Sequence, residues 1–306
     1  SMAAAQTYPS RPIRMVVGFS PGGPADVMAR LIGQRMAMTL GQPVVVENRA
    51  GAGGTIAARF VAESEPEGYT LLLGNTSTLI ISPLMYKNVG YDALKAFAPI
   101  ARLGTTSDIL VINPRFPAKS LQELVAYAKA NPGKLNFSTP GIGTPPHLIG
   151  EMLKLRAGID IVHVPYKSGG QSIQAVVAGE VQFTFENPAV ALPLVQGGAV
   201  RALAVTSAAR HPQAPDVPTM IEGGLPDFVS VSFTGVVGRA GIPPNIVSRL
   251  NGVINESLKS PAVAATLAKL AVDVKNETPA EFAAFLSEEM TTMSPVIKAA
   301  GLLGVE

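Results

Sequence analysis

Apolar positions along this chain switch repeatedly between two spacings. Short continuous runs, Ile13-Arg14-Met15-Val16-Val17, Val44-Val45-Val46 and Leu71-Leu72-Leu73, have the pattern of strands buried in a parallel sheet. Between the first two, Val27, Met28, Leu31, Ile32 and Met36 recur at helical spacing and predict a helix from Pro24 to about Leu40. The alternation resumes downstream, with strands expected over 108–113, 135–139, 161–165, 183–185 and 202–206. The intervening helices are expected over 120–130, from 145 to about 157, over 172–178 and from 188. Ser120 is the expected N-cap of the first of these, with Glu123 completing a capping box. A long alternating strand over 228–237 and helices over 243–259, 261–270 and 279–300 close the chain. Repeated strand–helix alternation gives an α/β fold.

Two strand-to-helix junctions stand out. After the first strand come Gly18-Phe19-Ser20-Pro21-Gly22-Gly23, then Pro24 at the first helical position. Glycines let a ligand approach the main chain, and the helix start aims its free N–H groups at the same place, forming an anion cradle. No lysine or arginine lies in the loop, so the backbone carries the recognition; Phe19, Ser20, Pro21, Gly22, Gly23 and Asp26 are the first candidate set. The device recurs after 135–139, where Pro140-Gly141-Ile142-Gly143 precede Thr144-Pro145-Pro146-His147, with Thr144 as expected N-cap. Ser138, Thr139, Gly141, Gly143, Thr144 and His147 form the second set. Pro145 and Pro146 each remove a donor, so the amides of residues 141–144 are expected to do most of the work there.

Two cradles far apart in sequence imply two lobes gripping one small anion. The expected division is 1–103 with 230–306 as one lobe and 104–229 as the other, the chain crossing near 100–105 and 228–238. Asn75, Thr76 and Ser77 fall at the carboxyl end of the third strand, where open α/β sheets bind ligands, though they suit helix capping equally well. Tyr166 opens the loop after the 161–165 strand, and Glu186 ends the 183–185 strand; both are candidates.

Composition narrows the class. The 306 residues are 47% hydrophobic and 15% charged, with a net charge of +2 and no basic tract, which argues against nucleic acid. No run approaches the length of a membrane span. Cysteine is absent, which excludes disulfides and a thiol nucleophile, and no His/Asp/Glu spacing suggests a metal; no cofactor is expected. Ser1-Met2 reads as an expression remnant. Ala3-Ala4-Ala5-Gln6 resembles the region flanking a signal-peptidase cut, so an exported protein without its leader is expected.

Two enzymatic readings compete. Gly18-Phe19-Ser20-Pro21-Gly22 matches the G-x-S-x-G nucleophile elbow, but the residue after the serine must donate a backbone N–H and Pro21 has none. Asp26 with Glu186 would form an acid/base pair, although carboxylates at helix starts are usually capping groups. Gly51-Ala52-Gly53 hints at a dinucleotide loop, yet Ile56 replaces the third glycine, which favours a tight turn. His163, inside an apolar strand, is expected to be a satisfied core residue, and His211 to be exposed.

Taken together, YPSRPIRMVVGFSPGGPAD (8–26), PVVVENRAGAGGTIAA (43–58), PEGYTLLLGN (66–75), NFSTPGIGTPPHL (136–148), VPYKSGGQSI (164–173) and GIPPNIVSRLN (241–251) resemble the Bug, or TctC-like, family. These are extracytoplasmic solute-binding proteins of tripartite tricarboxylate transporters. The resemblance implies a periplasmic, two-lobed binding protein of the type II fold, monomeric, with a cleft between lobes. It also implies a carboxylated solute, an organic acid or acidic amino acid, passed to membrane permease subunits. Contacts are implied from Phe19, Ser20, Gly22, Gly23, Asn75, Ser138, Thr139, Gly143, Thr144 and His147. The family commonly has Asp where this chain has Glu186, and the longer side chain fits a smaller solute or one bearing an amino or hydroxyl group. A ligand sensor docking on a membrane kinase is the alternative that sequence leaves open.

Overall fold

A computed structural model describes residues 7–305. The segment 3–6 that bears on export lies outside the described residues. In chain order the elements begin β1 (Ile13–Val17), α1 (Pro24–Leu40), β2 (Val44–Asn48), α2 (Thr55–Ala62), β3 (Thr70–Asn75), α3 (Ser82–Met85) and β4 (Phe97–Ser107). Next come β5 (Ile109–Ile112), α4 (Leu121–Ala130), β6 (Leu135–Thr139), α5 (Pro145–Ala157), β7 (Ile161–Pro165), α6 (Gly169–Ala178), β8 (Phe183–Glu186), α7 (Pro188–Gln196) and β9 (Arg201–Val205). The chain ends with β10 (Val231–Arg239), α8 (Pro244–Leu258), α9 (Pro261–Lys269), β11 (Asp273–Val274) and α10 (Pro279–Ala299).

Two compact units result. The first comprises Ser1–Thr105, Phe233–Ser294 and Leu303–Glu306; the second comprises Thr106–Ser232 and Pro295–Leu302. Sequence had given all of 230–306 to the first lobe, whereas Pro295–Leu302 packs with the second unit.

The first unit is built on a six-stranded sheet ordered β11-β4-β10-β3-β1-β2, in which β1 runs parallel to both β2 and β3 while β10 runs antiparallel to β3. Ile13, Met15, Val16 and Val17 are fully buried, the burial on both faces that their continuous apolar run foretold. Ala29, Ile32 and Met36 of α1 close one face. The second unit has the order β7-β6-β8-β5-β9, with β6 parallel to β7 and β8, and β5 antiparallel to β8. Reading the first sheet from β2 inwards gives the same scheme. A first strand has the second on one side and the third on the other, and an antiparallel strand lies beyond the third.

Several local predictions hold, with instructive differences. Ser120 accepts from Glu123 N at 3.1 Å, but the Glu123 carboxylate takes the Lys119 N–H, one residue before the cap. Thr144 occupies the N-cap position of α5 without capping it: Pro146 leaves no N2 amide to accept, and the hydroxyl donates to Gly141 O at 2.7 Å. After β3 the chain forms a five-residue π-helical turn, Ser77–Ile81, where the sequence suits either a ligand contact or the cap of a following helix. β4 and β11 carry no alternation strong enough to mark them as strands. The Gly51–Gly54 segment is the tight turn expected, and Gly54 packs so closely that a Cβ on Gly18 would lie 2.5 Å from its Cα.

In the second unit α5 lies unusually near β6. A Cβ on Gly150 would overlap the buried ring of Phe137, itself held by the rings of Phe183 and His163 at 5.8 and 5.1 Å. Gly150→Ala gains at most about 1 kcal/mol of helix propensity against about 1–3 kcal/mol of overpacking. A lower urea-denaturation midpoint is therefore expected, with a net loss of up to about 2 kcal/mol.

Candidate functional site

The two candidate loops leave equivalent strands of the two sheets, β1 and β6, at their carboxyl ends. Each strand has its successor on one side and the third strand on the other, so each loop lies at a point where strand order reverses, the usual ligand-binding position in open α/β sheets. The third strand ends beside each: β3 brings Asn75 and β8 brings Glu186.

In the first unit, Val27 N–H makes the first helical bond of α1, to Gly23 O at 3.0 Å. Pro24 has no N–H, and the amides of Ala25 and Asp26 have no acceptor within the helix. Ser20, Pro21 and Gly22 are exposed, and Phe19 is half-buried against the core. The Gly22 amide, by contrast, is already engaged, donating to Asp26 Oδ2 at 2.9 Å. That carboxylate also accepts from Arg30 Nε at 3.0 Å and, through Oδ1, from Asn48 Nδ2 at 2.9 Å. Asn48 Nδ2 reaches Phe19 O as well, at 3.0 Å. The Arg30 hydrogen bond, then those from Gly22 and Asn48, hold the Asp26 carboxyl down at about 2. Asp26 is buried and fully partnered, so it shapes the loop and has no role left as an acid or base.

Asn75 Oδ1 accepts from Thr78 N at 3.0 Å and Thr78 Oγ1 at 3.1 Å, which leaves its Nδ2 as a donor at the end of β3. Thr76 is buried, its hydroxyl accepting from Phe233 N at 2.8 Å, while Ser77 is half-buried in the π-helical turn. All three histidines fall in the second unit, so the unit that carries Ser20 contains no imidazole base for it.

The second loop is more self-contained than sequence indicated. Gly141 N donates to Thr139 Oγ1 at 3.2 Å, Gly143 N to His147 Nδ1 at 3.1 Å, and Thr144 N weakly to Gly141 O at 3.5 Å. Of the 141–144 amides expected to do the work, Ile142 alone has no partner among the described residues; the His147 amide, third in α5, joins it. Ser138 is buried, its hydroxyl donating to Ser172 O at 2.9 Å, and Thr184 Oγ1 returns a bond to Ser138 O at 2.7 Å. The Tyr166 hydroxyl meets the Glu180 carboxylate, and burial first and that contact next raise its pKa.

His147 stacks on His163 with ring centroids 3.9 Å apart, and its Nε2 faces Glu151 Oε1 at 3.5 Å. His163 is half-buried and shares a 2.5 Å hydrogen bond with Thr139 Oγ1, a satisfied side chain as expected, though one that lies beside the second loop. Burial and the neighbouring His147 bring it down to about 4, neutral at ordinary pH. Sequence missed it because β7 looked like any apolar strand; its register beside Phe137 of β6 places it. At the end of β8, Glu186 Oε1 accepts from Asn187 N at 2.9 Å, and burial raises its pKa. Asp108, next to the residue that pairs with Glu186, was also missed; burial and then the Glu186 charge push it up to about 7. No group of three or more potential metal ligands occurs among the described residues.

Each unit thus presents one strand–loop–helix junction with free main-chain donors, and comparison with known proteins gives the class of the chain. A family profile described as tripartite tricarboxylate transporter family receptor matches residues 28–302, and the chain belongs to that family. It is 38% identical to Protein BugT of Bordetella pertussis over 97% of this chain and 92% of that one. A solved structure of MatC from Rhodopseudomonas palustris with bound malate is 34% identical, with a TM-score of 0.76 over 95% of this chain and all of the other. One of R. palustris Rpa4515 with adipate is 31% identical, with a TM-score of 0.79 over 97% of this chain and all of the other. The protein is thus a periplasmic solute-binding receptor, not an enzyme, that serves a membrane permease of this transporter type.

Two pH effects follow. Asp26 has a folded pKa below its unfolded value near 3.9, so its bonds stabilise the fold above that value and lose this effect as pH falls towards 2. The urea-midpoint advantage of wild type over Asp26→Asn is expected at pH 6 and expected to shrink by pH 2.5. Asp108 is raised, so its contribution is fully present below the unfolded pKa and is lost as pH rises through about 7. Asp108→Asn is therefore expected to raise the thermal midpoint at pH 8 more than at pH 4.

Proposed function

We propose that this receptor captures a small carboxylated solute, an organic acid or acidic amino acid, chiefly through main-chain donors at helix starts, each unit offering one such anion site, and acts as a monomer. One observation carries the proposal: both sheets place a strand–loop–helix junction, with unpartnered helical N–H groups, at the point where strand order reverses. The Ala25, Asp26, Ile142 and His147 amides and the Asn75 side-chain amide are all donors, as a carboxylate requires. Ser20, Ser77 and Gly23 supply further polar atoms at the first loop.

Hydrogen bonds to a charged acceptor contribute about 1.5–3 kcal/mol each, and a helix start adds roughly 0.3–2 kcal/mol. A few of these, less ordering and association costs, leave about −8 kcal/mol, a micromolar affinity without any lysine or arginine clamp. The second unit also presents acceptors. Glu186, half-buried with Asp108 beside it, favours a solute whose remaining part carries an amino or hydroxyl donor. The malate and adipate complexes of relatives are consistent with a carboxylated solute.

Thermal-shift screening of mono- and dicarboxylates, followed by calorimetry of the best stabiliser, tests this. Gly22 and Gly143 have φ of +85° and +76°, so a β-branched residue is strained at either position. Gly22→Val and Gly143→Val are each expected to weaken binding at least about 100-fold, equivalent to about 2.7 kcal/mol, with the far-UV spectrum retained. Unchanged affinity in both variants, or no stabilisation by any carboxylate, overturns the proposal.

A further inference from the structure

The two loops share a device that neither motif announces. In each, a glycine with positive φ precedes the helix N-cap: Gly22 before Gly23, and Gly143 before Thr144. In each, the third residue of the helix turns its side chain back to accept that glycine's N–H: Asp26 at 2.9 Å and His147 at 3.1 Å. The spacing is four residues in both, and Pro stands at the first helical position in both. Both acceptors are buried, and the loops leave topologically equivalent strands. Identical geometry at equivalent places, made by chemically different side chains, indicates that the backbone shape is what is being held.

We infer that Asp26 and His147 are equivalent positioning residues. Each pins the glycine before its helix so that the adjoining free amides face a solute, and the imidazole pin makes the second loop alone responsive to acid. The consequence for solute binding rests on the function proposed above; the pin itself does not.

The asymmetry comes from the acceptors. Asp26 accepts as a carboxylate, supported by Arg30 and Asn48, and remains ionised well into acid. His147 accepts through Nδ1 while Nε2 faces Glu151, so the pinned loop requires the neutral Nε2–H form. A proton on Nδ1 removes the acceptor and sets two N–H groups against each other. The charged and titratable groups around the ring are few. Glu151 on the same helix favours the proton. Lys154, bound to Glu151 at 3.2 Å, opposes it. His163 on β7 stacks on the ring and stays neutral. Burial opposes ionisation of Glu151, but the bonds from His147 and Lys154 hold it low, so the carboxylate persists beside His147.

Amide exchange in the isotope-labelled full chain tests the inference without any solute. Protection factors for Gly22 and Gly143 are measured between pH 8 and 5. Gly143 protection is expected to fall at least about tenfold towards pH 5 while Gly22 holds. His147→Asn retains an uncharged acceptor and is expected to keep Gly143 protected with a flat profile. His147→Leu is expected to leave Gly143 unprotected throughout. A flat wild-type profile, a persisting acid response in His147→Asn, or wild-type protection in His147→Leu overturns the inference. Succinate, titrated by calorimetry into wild type and His147→Asn at pH 8 and 5.5, separates the two claims. Acid-weakened affinity in wild type alone supports the inference; acid-independent affinity in wild type, with Gly143 protection lost, overturns the link to binding. Should neither succinate nor any other screened carboxylate bind while the exchange pattern holds, the functional proposal falls and the pin stands.

Discussion

The first turn of an α-helix contains N–H groups that no carbonyl of the same helix can reach, and something outside the helix must satisfy them. In this protein that constraint meets the parallel part of a mixed sheet twice. A buried strand delivers the chain to the sheet's carboxyl edge, a glycine loop turns it, and a helix begins with its unsatisfied donors at the same edge. Proline at the first helical position fixes the entry and removes one donor in α1; two prolines remove two in α5. The donors that remain are therefore few and fixed in place, which suits recognition of an anion by preorganised main chain better than by long cationic side chains with rotamer entropy to lose.

Around those donors the side chains close the loops on themselves. Asp26, Asn48 and Arg30 form one small network, and Thr139, His163, His147 and Glu151 form the other. Beneath the second, Ser138, Ser172 and Thr184 satisfy one another between β6, α6 and β8, so the hydroxyl of Ser138, a candidate ligand contact, is engaged within the protein. Buried polar groups need partners whatever their function. A hydroxyl near a ligand loop is thus ambiguous until its partner is known.

That ambiguity marks what the sequence could and could not convey. Strands β1, β2, β3 and β6, helix α1 and both glycine loops were legible because apolar runs, helical spacing, Pro and Gly are local signals. β4 and β11 were not, since their place comes from pairing with distant strands. Nor could spacing reveal that Gly143 N–H is engaged by His147, that His163 lies against His147, or that Asp108 approaches Glu186. Each depends on register between strands or on a side-chain rotamer. Family resemblance supplied the candidate loops, but not which of their atoms are free.

The same topology in both units need not mean the same chemistry. At the end of the third strand, the first unit has Asn75, whose oxygen is fixed by Thr78 so that the amide donates. The second has Glu186 with Asp108 nearby, two carboxyl groups whose burial favours their protonated forms. Likewise the pin is a carboxylate in one loop and an imidazole in the other. A backbone scheme used twice leaves free helix-start N–H groups in both units. The residues at the strand ends and the third helical positions are where the chemistry of the two halves differs.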